Sequence, residues 1–170
     1  MRPIALTLAA VSAGLVTAGT LRAGPDRVGL PEDYPATFVN YLDVDRPDRK
    51  RVRKMYVSPD AHAAAKADTD LPDGTILIME DHDAKKDADG NLQRDADGRL
   101  IALDPVVNIF IMEKNRGWRT DNGNWDYAWY LPDGTPRPDA KFVGCFSCHA
   151  NRSERDFTFT YWKTVSDQAK

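Results

Sequence analysis

The chain has 170 residues, 42% of them apolar, with 23 basic against 26 acidic side chains, a formal charge of −3 and a mean hydropathy of −0.54. This mildly acidic balance offers no electrostatic footprint for nucleic acid or an anionic membrane as partner. The length suits a single domain after a short leader, and with only two cysteines, stability rests on a packed core and on whatever that core encloses.

Residues 1–23 read as a secretory signal. Arg2 supplies a positive start, residues 4–16 form an uncharged alanine-rich run, and Val16-Thr17-Ala18 or Ala23 offers small residues for cleavage. The apolar run is short for a membrane span, so an uncleaved anchor is the lesser reading. No later segment is apolar enough to cross a bilayer. The expectation is a periplasmic protein, free of the membrane once the signal is cleaved, whose one domain occupies residues 24–170.

Residues 24–35, rich in Gly and Pro, read as an irregular lead-in, and residues 38–42 as a strand or a short helix. The charge run at 43–51 reads as a solvated loop. Residues 52–57 alternate apolar and polar, which predicts a half-buried strand. Ser58 as N-cap and Pro59 at the first helical position then open a short helix over residues 59–67. Leu-Pro-Asp-Gly at 71–74 is a turn, and residues 75–79 are strongly β-prone.

Residues 81–99 are polar and carry Asp87-Ala88-Asp89-Gly90-Asn91 and Asp95-Ala96-Asp97-Gly98-Arg99. Asp-Gly pairs favour hairpin turns. Calcium is the alternative for the Asp87 to Asp97 carboxylates, but the glycine spacing is wrong for an EF-hand and no glutamate closes the loop. Residues 105–113 predict a strand covered on both faces, and the aromatic run at 124–130 another, ending in a second Leu-Pro-Asp-Gly-Thr turn at 131–135. Pro136 and Pro138 hold the next stretch extended.

The chemistry gathers at 145–149, a Cys-x-x-Cys-His run made of Cys145, Cys148 and His149. Two thiols one helical turn apart can each add across a haem vinyl group, and the adjacent imidazole then lies under the iron as its ligand. The pattern reads as attachment of one haem c, with His149 as the metal ligand. A dithiol redox site, half of a zinc site and a disulfide are the alternatives. Zinc needs further ligands, for which only His62, His82 or a carboxylate remain, and a thioredoxin-like site needs a βαβ setting that these elements lack. A helix tail is expected over residues 151–156, a last strand at 157–162 and a frayed end from 165 onward.

The order of elements predicts an α+β fold, mostly antiparallel β-sheet with a few short helices. The motif lies near the end of the chain, which leaves no room after it for a distal ligand loop, so any sixth iron ligand must come from earlier strands. His62 and His82 qualify by type, yet both sit in polar segments and read as surface histidines.

Together these features resemble the cytochrome P-460 and cytochrome c′-beta family. The resemblance rests on the strand at 52–57, Ser58-Pro59-Asp60, Leu-Pro-Asp-Gly-Thr at 71–75, Gly123-Asn124-Trp125, the Cys-x-x-Cys-His run and Asp156-Phe157-Thr158-Phe159. It spans residues 34–161. It implies an antiparallel β fold, a single haem c, often a homodimer, and an iron whose distal side is open to nitric oxide or related nitrogen-oxide ligands. Some members instead oxidise hydroxylamine and pass electrons to a redox-partner cytochrome; a plain electron carrier is the third expectation.

In cytochromes P-460 a lysine after the Pro-Asp-Gly-Thr strand links covalently to the porphyrin edge. Ungapped alignment puts Met79 there, with Lys85 and Lys86 six and seven residues further on. A thioether cannot form the amine-derived link, so the resemblance implies the cytochrome c′-beta type. Met79 is then a core methionine, a side chain packed on the haem edge or, less in keeping with the family, an iron ligand. Arg53 matches an arginine near the distal pocket and is the candidate donor to a bound oxyanion or nitrogen oxide; a propionate partner and a surface arginine are the alternatives. Phe38, Phe110 and Met112 are candidate apolar caps over the distal face.

Overall fold

The computed structural model describes residues 24, 26–118 and 120–168, so the signal assigned to residues 1–23 lies outside the described residues. Five strands form one antiparallel sheet in the order β1-β2-β3-β4-β5: β1 Val39–Arg46, β2 Arg51–Val57, β3 Ile76–Asp83, β4 Asn108–Lys114 and β5 Trp125–Tyr130. Four short α-helices accompany them: α1 Tyr34–Thr37, α2 Pro59–Ala64, α3 Val143–Ala150 and α4 Tyr161–Gln168. The expected α+β class holds.

Side chains alternate across a strand, so each cross-strand row belongs to one face. The row Tyr56, Ile78, Ile111 and Ala128 points to one side, where Val28 and Tyr34 of the lead-in and α1 cover it. The next row, Val57, Leu77, Met112 and Tyr127, points to the other, beneath Ala61 of α2, Tyr161 of α4 and Cys145 and Phe146 of α3. The haem-motif helix therefore rests on a built platform. Trp125 and Tyr161, both fully buried, are its largest side chains.

Five expectations need correction. The charge run at 43–51 is mostly ordered: β1 continues to Arg46 and a 3-10 turn spans Pro47–Arg49. An edge strand tolerates those charges because one of its sides faces water, and Asp45 accepts from Arg99 and the Leu100 N–H. The helix carrying the motif stops at Ala150, with a separate 3-10 turn at Ser153–Arg155 in place of its tail. Residues 157–162 are not a strand. Asp156 and Phe157 take left-handed φ values of 47° and 58°, and the Thr158 hydroxyl accepts the Trp162 N–H where α4 begins, so the expected frayed end is helical to Gln168. Ser58 precedes α2 as expected, but its hydroxyl accepts the Ile76 N–H of β3 instead of capping the helix.

The two Asp-Gly motifs are hairpin turns. Asp87 accepts from the Asp89 and Asn91 N–H groups, Asp95 from those of Asp97 and Arg99, and Gly90 and Gly98 take the positive φ each turn needs.

Candidate functional site

α3 carries both cysteines as free thiols three residues apart, Cys145 half-buried against the sheet and Cys148 exposed. Burial pushes the Cys145 thiol pKa up. His149 follows on the next position, its ring 4.9 Å from Tyr127 of β5 and 5.0 Å from Phe159, edge-on to the latter. Its Nδ1–H donates to the Phe157 carbonyl at 2.6 Å. That bond fixes the ring and its tautomer, and leaves Nε2 as the nitrogen with a lone pair that could ligate a metal. Burial lowers the His149 pKa, which keeps the imidazole neutral, the form that binds iron.

The turn that supplies the carbonyl is held from several sides. The Asp156 carboxylate receives Lys114 Nζ of β4 at 2.8 and 2.7 Å, the Leu71 N–H at 2.8 Å and Trp125 Nε1 of β5 at 3.4 Å. Burial pushes its pKa up against the downward pull of Lys114. Gly123 lies so close that a Cβ there would meet the Phe157 ring at 2.5 Å. Asp156, Lys114 and Gly123 are the residues that sequence reasoning missed; only the Asp156 and Gly123 motifs of the family resemblance pointed near them.

Met79 and Arg53 come to the same face of the sheet as α3. Met79 sits two residues beyond Leu77, with Met55 and Phe110 as cross-strand partners and Trp129 beyond Phe110. All four are only partly buried, an apolar strip continuing from the platform under α3. One row further, Arg53 Nε donates to Asp81 at 2.9 Å. Phe110 stacks obliquely on Trp129 at 4.8 Å. Met112 is buried in the platform itself, and Phe38 packs on the opposite face with Tyr34, so of the three proposed caps Phe38 is misplaced.

The histidines were misjudged. His82 is 3% exposed, on the face away from α3, with Nε2 2.9 Å from Glu80 and Nδ1 2.9 Å from the Leu103 carbonyl. His62 is half-buried and its Nδ1 lies 2.9 Å from the Tyr161 hydroxyl. His82 is engaged on the opposite face, and His62 at Tyr161 of the platform. Among the described residues no group of three or more His, Cys, Asp or Glu side chains could hold a metal ion, which leaves the zinc reading without its ligand set.

The donor set fits haem: two thiols at helical spacing, a neutral oriented imidazole, and an apolar strip beside them. Fold and site thus define a haem cytochrome built on an antiparallel sheet instead of a helical bundle. Residues 31–160 match the family Cytochrome P460, and the chain belongs to it. Membership implies a haem cofactor. No curated protein matches the chain significantly. Among the described residues no helix is long and apolar enough to cross a membrane.

Proposed function

We propose that this chain is a periplasmic cytochrome of the c′-beta type, exported by residues 1–23, that binds nitric oxide or a related small nitrogen-oxide ligand. Cys145 and Cys148 attach a single haem c through thioether bonds, and His149 is its proximal ligand. When bound, the haem supplies an iron with a coordination position open to a small ligand.

The observation that carries this reading is the identity and setting of residue 79. Met79 stands on the face shared with α3, at the position that the resemblance, matched without gaps, assigns to the cross-linking lysine. Lys85 and Lys86 lie beyond the end of β3, exposed in the hairpin. Lys54 pairs with Glu80 in a row that points to the opposite face, and Lys114 is taken by Asp156. None of these four amines stands in the apolar strip. His62 and His82, engaged elsewhere, do not supply a sixth ligand. The apolar side chains of Met55, Met79, Phe110 and Trp129 favour a neutral diatomic ligand, while Arg53, oriented by Asp81, borders the strip and is suited to donate to a polar ligand atom or to a propionate.

Absorption spectra of the ferric and ferrous protein with added nitric oxide test the proposal. An ordinary haem c spectrum that changes on adding nitric oxide is expected. A red-shifted, broadened ferrous Soret band would mean a cross-linked, hydroxylamine-oxidising type, and a six-coordinate low-spin spectrum indifferent to nitric oxide would mean an electron carrier working with a redox-partner cytochrome.

A further inference from the structure

We propose that the buried Asp156–Lys114 pair is a positioning device for the proximal ligand: it locks the turn whose Phe157 carbonyl accepts the His149 Nδ1–H, and so sets the strength of the bond from His149 to iron. This rests on the assignment of His149 as that ligand.

Several independent features converge on the turn. Asp156 and Phe157 are consecutive non-glycine residues at positive φ, a conformation side chains resist because Cβ crowds the backbone. Such a pair persists only where its surroundings over-determine it. Here the surroundings are three parts of the fold converging on one carboxylate: Lys114 from β4, Trp125 from β5 and the Leu71 N–H from the turn before β3. The Phe157 N–H is held as well, donating to the Arg152 carbonyl at 2.8 Å. The Asp156 side chain is 2% exposed and that of Lys114 10%. A buried ion pair is weak evidence for stability, since well-packed apolar residues of similar volume often serve as well. What an apolar pair could not do is grip a peptide in a strained orientation with directed hydrogen bonds.

The consequence falls on the imidazole. A carbonyl held at 2.6 Å from Nδ1 raises the electron density available at the opposite nitrogen. Asp156 and Lys114 do not touch the haem ligand itself; they act through the Phe157 carbonyl.

The test uses the haem-loaded protein and variants Asp156→Asn, Lys114→Met and the neutral pair Lys114→Met/Asp156→Asn, with Gly123→Ala disturbing the same turn without altering charge. Resonance Raman of the ferrous state reads the iron–histidine stretch, and redox titration reads the midpoint potential. The expected result is a stretch at lower frequency and a raised potential in each variant that retains haem. A single variant can fail to fold because it strands a buried charge, which is why the neutral pair is included. If the neutral pair keeps haem and shows wild-type stretch and potential, the ion pair serves stability alone and the inference falls. Haemochrome analysis of the wild type separates the two failures. Absence of covalent haem overturns the site assignment and this inference together, whereas attached haem with an unmoved stretch overturns this inference only.

Discussion

Cys145 and Cys148 differ although they share one helix: the first is half-buried against Phe146 and the platform, the second exposed. Replacing the exposed thiol leaves the platform's packing intact and removes one of two proposed anchors. Cys148→Ser should therefore lose most of its haem and melt at lower temperature, as read by pyridine haemochrome absorbance per protein and by thermal unfolding. Full haem content with an unchanged melt would contradict the assignment. The pair was legible in the sequence because the chemistry is local, three residues and a neighbour. Met79 and Arg53 were legible only through family resemblance, and the sheet register then placed them in successive rows on one face. His82 was not legible. Its flanks are polar, and its burial depends on Tyr34 and Tyr56, whose hydroxyls meet the same Glu80 carboxylate at 2.6 and 3.1 Å.

β4 shows how one element serves two ends. Ile111 is 2% exposed in the core on the lead-in side, while its neighbour Phe110 faces the half-open strip. Truncating Ile111 to Ala should cost roughly 2–5 kcal/mol, the usual range for a buried branched side chain, and leave the haem spectrum unmoved. Phe110→Ala should do the reverse, a small change in the urea midpoint with an altered spectrum and ligand affinity. Equal effects of the two on both readouts would sink the division of faces. β2 and β5 could be read from alternation, and β3 and β4 from β-prone and apolar runs between turns, although β3 continues to Asp83, past the 79 that its apolar run suggests. β1 was cut short because a charged edge strand looks like a loop, and the start of α4 was missed because six alternating residues suit a strand as well as a turn that feeds a helix. What decides the latter is the left-handed turn at Asp156 and Phe157, imposed by tertiary partners far away in sequence.

For the molecule as a whole, stability against pH turns on the buried group around Glu80. The hydrogen bond that His82 donates to Glu80 raises the His82 pKa above its ordinary 6.5, against burial and Lys54, with Asp104 3.8 Å away. Glu80 resists its own burial: hydrogen bonds from His82, Tyr34 and Tyr56 take its pKa below 4.5. A raised histidine contributes stability that is complete below 6.5 and fades as pH climbs through its folded value; a lowered carboxylate contributes above 4.5 and fades as pH falls through its folded value. The gap in urea midpoint between wild type and His82→Gln should thus be widest between those two values and narrow toward alkaline pH. A gap that widens with rising pH would show that His82 is not held protonated.

Every strand pairs with its neighbour in the chain, whereas the covers over the two faces come from far away: Arg27 meets Asp126, Tyr130 donates to the Val28 carbonyl, and Tyr41 meets Thr160. Pairings between strands adjacent in the chain close shorter loops than these contacts between residues 99, 102 and 119 positions apart, although the β3–β4 connection still runs over residues 84–107. Closure costs more entropy as the loop lengthens. That ordering predicts that the meander forms before its covers and that the segment with Cys145, Cys148 and His149 docks last, which pulse-labelled hydrogen exchange during refolding would show as late protection of the α3 amides.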